Sequence, residues 1–118
     1  MKAVLFRAHG GPETLSYEDL PMPVIGPDEV LVKVKACALN HLDIWIRQGN
    51  PAYPMPMPHV SGSDVAGIVE QVGAQADHVT VGQHVFLSPG ISCWKCEQCL
   101  AGRDNFCRSY SLLGAMMH

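Results

Sequence analysis

"GISCWKCEQCLAGRDNFC", residues 90–107, contains four of the chain's five cysteines. Cys93, Cys96, Cys99 and Cys107 follow the spacing C-x2-C-x2-C-x7-C. Two-residue gaps let the backbone curl so that successive sulfurs face one centre, and the longer return brings in a fourth. Three chemistries use such runs: disulfides, an iron–sulfur cluster, or a structural metal. An odd cysteine count in a reducing compartment argues against a disulfide framework. Bacterial ferredoxins share the opening C-x2-C-x2-C, but their fourth cysteine follows three residues later and precedes proline. Here the gap is seven, Arg108 follows Cys107, and no second copy exists. A tetrahedral set of four thiolates is what closed structural zinc sites use. Binding of the metal would help fold a lobe with little apolar content of its own. Structural zinc is therefore the favoured reading, with iron and unligated thiols as its rivals. Gly90 and Gly102 are expected to give the lobe backbone freedom where it turns.

Working outward, 118 residues make about one domain. A formal charge of −3 leaves no basic footprint for nucleic acid. No run approaches the roughly 18 apolar residues of a membrane span. The N-terminal apolar stretch AVLF is too short for a signal-peptide core. Together these suggest a soluble cytoplasmic protein with neither nucleic-acid nor membrane partners.

Short strands are expected over 2–6 and 15–20, with the turn HGGPE between them. The clearest element is 29–40, EVLVKVKACALN, in which Val30, Val32, Val34 and Ala36 alternate with Leu31, Lys33, Lys35 and Cys37. That period of two predicts a long strand with one face on the core and Cys37 as a buried, inert thiol. HLDIWIRQGN predicts a short helix with Asn40 as N-cap and Gly49 past its end. PAYPMPMPH, with four prolines in eight residues, excludes a helix or central strand. VAGIVEQV (65–72) and HVFL (84–87) read as further strands. The expectation is a mainly β fold, a barrel or sandwich. No G-x-G-x-x-G follows a strand, so the chain by itself lacks a dinucleotide fingerprint.

"GPDEVLVKVKACALNHLDIWIRQG", "PHVSGSDVAGIVEQVG", "VGQHVF" and the cysteine lobe together resemble the N-terminal domain of the zinc-containing alcohol dehydrogenase/quinone oxidoreductase superfamily, the medium-chain dehydrogenases/reductases. The match runs from Met1 to about Gly114, and its most specific parts are the lobe and the G-x-x-x-x-G-x-V of Gly62–Val69. The resemblance implies a GroES-like, partly open β-barrel over 1–118, with a zinc lobe at 90–108, serving as the substrate-side domain. It further implies a missing C-terminal Rossmann domain that binds NAD(P), a small-molecule substrate, and a homo-oligomer in the full-length protein. By itself the chain is expected to be inactive.

Two departures stand out. Zinc alcohol dehydrogenases carry a catalytic cysteine ligand where this chain has Asn40, and a histidine ligand where it has Ser63. Carboxamide and hydroxyl are poor replacements for thiolate and imidazole on zinc. The resemblance places Asn40, His41 and Asp43 along the cleft, as candidates to bond a substrate carbonyl, touch cofactor phosphate or relay a proton. Helix capping is the competing role for Asn40 and Asp43. Asp64 reads as a buried carboxylate fixing its turn, and His59, His78, His84 and His118 as surface or loop histidines. Met55 and Met57 read as core filling, with an apolar pocket wall as the alternative. The functional expectation is an NAD(P)-dependent oxidoreductase acting on an alcohol, a carbonyl or an activated double bond. The rivals are a zinc-stabilised interaction module without activity and, were the cysteines to hold iron, a small electron carrier.

Overall fold

The computed structural model describes residues 1–51 and 55–116. The middle of the proline-rich stretch therefore lies outside the described residues. Among them, strands dominate and form three antiparallel sheets: β1 (Lys2–Leu5) with β2 (Ser16–Asp19); β3 (Val30–Ala38), β4 (Asp64–Val72) and β5 (His84–Phe86) in that order; and β6 (Gly90–Ile91) with β7 (Ser111–Leu112). Two helices join them, α1 (His41–Gln48) and the single turn α2 (Glu97–Leu100). Among the described residues, no helix is long and apolar enough to cross a membrane. The mainly β expectation holds, but the sheets do not close into a barrel.

The central ladder pairs Val30 with Val72 at one end and Ala38 with Asp64 at the other. Irregularities between Leu31 and Val32, and between Val34 and Ala36, break its alternation. Each such bulge re-aims the side chains beyond it. Leu31 is consequently the buried residue of β3, while Val34 is 57% exposed. The expectation of one continuous core face along β3 is thus corrected, and Cys37 is exposed, not buried. Gly67 in β4 has no room for a side chain, because a Cβ there would meet Val32 and the Lys33 carbonyl.

The core is small. Among the described residues, Leu5, Phe6, Leu31, Val69, Ala76, Cys107 and Ala115 are the buried apolar ones. His59, expected at the surface, is fully buried among them. Its backbone exchanges two hydrogen bonds with Phe6, of 2.9 and 3.0 Å, and its ring packs 5.4 Å from the Phe6 ring. The His59 Nε2 lies 3.0 Å from the Gly114 carbonyl oxygen. Ser63 Oγ donates to the Leu113 carbonyl at 2.8 Å. These two buried side chains fasten the segment after the lobe to the segment before β4. Gly114 sits there at φ +73°, and a Cβ on it would run into the Gly62 backbone.

Candidate functional site

The lobe leaves the sheet at β6, makes a tight turn through Cys93–Cys96, runs through α2 and a 3-10 turn (Asp104–Phe106), and returns at β7. Trp94 occupies the left-handed region at φ 58°, an uncommon place for a bulky residue. After α2, Gly102 donates to the Cys99 carbonyl at 3.0 Å and Arg103 to the Gln98 carbonyl at 2.8 Å. This is a Schellman ending, which requires the positive φ of +70° that Gly102 has. The freedom expected of Gly102 is used for that turn. Gly90 has a different role: a Cβ there would strike the Tyr110 hydroxyl, so glycine permits a close approach. Arg108 pairs with Glu97 at 3.0 Å and Arg103 Nε donates to Gln98 at 2.8 Å, tying the return segment to α2.

This path brings the four cysteines together. Their Sγ atoms all lie within 4.8 Å of one another. Cys96 and Cys99 are 3.5 Å apart, and Cys93 and Cys99 are 4.0 Å apart. Sulfurs bound at about 2.3 Å around a tetrahedral zinc stand about 3.8 Å from each other. The donor set therefore fits that ion in both chemistry and spacing. Cys107, the buried member, accepts N–H bonds from Cys93 at 3.3 Å and Ser109 at 3.4 Å. The Lys95 and Cys96 backbone N–H groups hold the Cys93 thiol below its usual range. Cys96 is pulled down to about 6, chiefly by the Cys99 N–H. Desolvation pushes Cys99 up to about 11, reinforced by the Cys96 and Cys107 sulfurs. Four clustered sulfurs cannot all ionise without a cation among them, and that inequality expresses it.

The second candidate group begins where β3 ends. Asn40 is the N-cap of α1, with extended φ −119° and ψ 156°, and forms a capping box with Asp43. The Asp43 carboxylate accepts the Asn40 backbone N–H at 2.7 Å. The Asn40 side chain also donates, from Nδ2 to Asp64 Oδ2, at 2.8 Å. Asp64 can reach it because the ladder sets Asp64 opposite Ala38, two residues before Asn40. Asp64 is exposed, which corrects the expectation of a buried carboxylate, although it is hydrogen-bonded as expected. The His41 ring turns edge-on to Trp45, with the ring centroids 4.9 Å apart. Desolvation, then the negative charges of Asp43 and Asp64, raise the Cys37 thiol above its usual range.

Beside Asn40 in the chain, Leu39 is 91% exposed, and on α1 Trp45 is 58% exposed; Phe86, the last residue of β5, is 87% exposed. Met57 is also exposed, so it does not fill the core. Two shallow hollows occur elsewhere. One of about 270 Å³ is lined by residues that include Lys35, His84 and Phe86, and one of about 320 Å³ by residues that include His9 and Gln48. Neither includes Asn40, His41 or Asp43. Asp64 as partner of Asn40, and His59 as a buried anchor, are the site and core residues that sequence reasoning misplaced.

Residues 26–118 match the family model described as the alcohol dehydrogenase GroES-like domain. The chain is 39% identical over 102 residues to a quinone oxidoreductase of Homo sapiens, covering 86% of this chain and 31% of that protein. An NAD-dependent alcohol dehydrogenase structure superposes with a TM-score of 0.94 at 50% identity, over 100% of this chain and 34% of that one. A cobalt- and zinc-bound thermostable alcohol dehydrogenase from Pyrobaculum aerophilum gives a TM-score of 0.91 at 34% identity, over 100% and 36%. The chain spans about a third of the length of the curated relatives it matches.

Proposed function

Because this chain belongs to the alcohol dehydrogenase GroES-like domain family, we propose that it forms the substrate-side domain of an NAD(P)-dependent oxidoreductase with one structural zinc. The observation that carries this reading is an excess of surface. A compact monomer of 12.8 kDa exposes about 6,300 Å², whereas this chain exposes 8038 Å². Its radius of gyration is 15.4 Å, against about 13.5 Å for a compact chain of this length. One side of a standard protein interface covers about 800 Å², so the excess is enough for a large docked body. The exposed apolar side chains Leu39, Trp45, Met57 and Phe86 supply suitable surface. In this proposal the docked body is a dinucleotide-binding domain, and the cleft forms between the two.

Cys93, Cys96, Cys99 and Cys107 would hold the zinc, and four thiolates leave no open position on it. That ion would clasp the lobe and take no part in the reaction. The nicotinamide would supply the hydride chemistry. A catalytic zinc does not fit the residues present. Ser63 is 4% exposed and its hydroxyl is given to Leu113; the Asn40 amide is given to Asp64. Polarisation of a substrate oxygen then falls to hydrogen-bond donors, chiefly the remaining Asn40 N–H, which suits activated carbonyls and enones. The capping box fixes the backbone of that donor at the start of α1.

The test is the complete polypeptide assayed with NADH and NADPH against alcohols, ketones, quinones and enones. Cofactor-dependent turnover is expected there. The 118-residue chain by itself is expected to bind neither cofactor, because it offers no glycine loop at a helix N-terminus for the pyrophosphate. Absence of turnover in the complete protein would leave the non-enzymatic interaction module as the better reading.

A further inference from the structure

We propose that Asp64 is a positioning residue for the Asn40 carboxamide, fixing which of its atoms a substrate meets. The proposal rests on the functional reading above, in which Asn40 faces the substrate oxygen. The observation behind it is that Asn40 is held from two directions by two carboxylates. Asp43, on α1, accepts its backbone N–H at 2.7 Å. Asp64, at the first position of β4, accepts its side-chain Nδ2–H at 2.8 Å.

A primary amide can swing about its terminal torsion, which has a broad energy profile. An anionic acceptor removes that freedom, because only the nitrogen end of the amide can donate to it. Reversing the amide would put its oxygen against Asp64 Oδ2, with two acceptors facing and no proton between them. One Nδ2–H is thereby committed to Asp64, leaving the second as the available donor on that nitrogen. Both residues are exposed in this chain. A domain covering the surrounding apolar surface would strengthen the bond by removing water. Asp64 therefore acts through Asn40 and need not touch the substrate.

A double-mutant cycle in the complete enzyme tests this, with the carbonyl substrate it turns over fastest. Asn40→Ala is expected to lower kcat about 100-fold, the scale for losing one preorganised donor. Asp64→Ala is expected to lower kcat about 10-fold with KM nearly unchanged, the pattern of an interaction made in the transition state. Asp64→Asn presents an NH2 donor as well as an acceptor, so either orientation of the Asn40 amide is satisfied, and it should recover only part of that loss. The double variant should be no slower than Asn40→Ala alone, since Asp64 has nothing left to position. A merely structural role would instead give a loss that multiplies in the double variant. Overturning results are a full Asp64→Ala loss on the Asn40→Ala background, or no kcat loss from Asp64→Ala. The Asn40 side-chain amide protons, followed by NMR in the same enzymes, report the bond separately. They are expected to be well separated in the parent and to converge in Asp64→Ala. An inert enzyme with the bond intact defeats the functional reading and this proposal together, whereas an active enzyme with multiplying losses defeats this proposal alone.

Discussion

Two glycines with nearly the same backbone angle separate strain from collision. Gly102 has φ +70° with open space where a Cβ would stand, whereas Gly114 has φ +73° and faces the Gly62 backbone. Gly102→Ala should cost about 1–2 kcal/mol, the left-handed penalty alone. Gly114→Ala should cost clearly more, because backbone must move, and chemical denaturation of the two variants measures the difference. The thiols give a pH prediction. Zinc takes thiolates, so each protonated sulfur must lose its proton on binding. Cys96, held at about 6, is already ionised at neutral pH, whereas Cys99, at about 11, is not. Zinc affinity should therefore fall as pH is lowered, and fall more steeply once pH drops below about 6. Competition with a chromophoric chelator between about pH 5 and 8 reads that slope. At this scale the cysteines were legible because their spacing is local. His59 and Asp64 were not, because their partners Gly114 and Asn40 lie 55 and 24 residues away.

Among the elements, the lobe is an appendage with a clasp of its own. Ser92, Cys107 and Ala115 bring little apolar mass to the buried set in this region, while Leu5, Phe6 and Val69 belong to the sheets and their margins. Cys99→Ser should consequently loosen residues 90–107 while the ladder of β3 and β4 persists. Limited proteolysis is the measurement. Early cuts confined to the lobe are expected, and cuts spread evenly along the chain would contradict its independence. Most elements could be read in advance. Period-two apolar runs mark β3 and β4, and Asn40 and Gly49 bracket α1 as N-cap and terminator. The two irregularities in the β3–β4 ladder were not legible, since a bulge is set by how two distant strands meet. Their consequence is that Val34 and Cys37, which alternation sets on opposite faces, are both exposed.

As a whole molecule, the chain combines a small core with a large open surface, and its family membership fits both. The resemblance in the sequence pointed to a domain that works against another. The structure adds the measure, a surface of 8038 Å² with Leu39, Trp45 and Phe86 exposed on it. The way the sheets fail to close was not written in any local pattern, because closure depends on strands meeting across the fold. The central claim is that the protein carries one zinc, the structural one held by Cys93, Cys96, Cys99 and Cys107, while Ser63 gives its hydroxyl to Leu113 and Asn40 gives one amide N–H to Asp64. Metal analysis of the complete, dialysed protein tests it most directly, followed by a chelator challenge with activity and fold monitored together. The account predicts a single equivalent of zinc per chain, whose removal loosens the lobe. A second equivalent, lost together with activity while the fold survives, would contradict it.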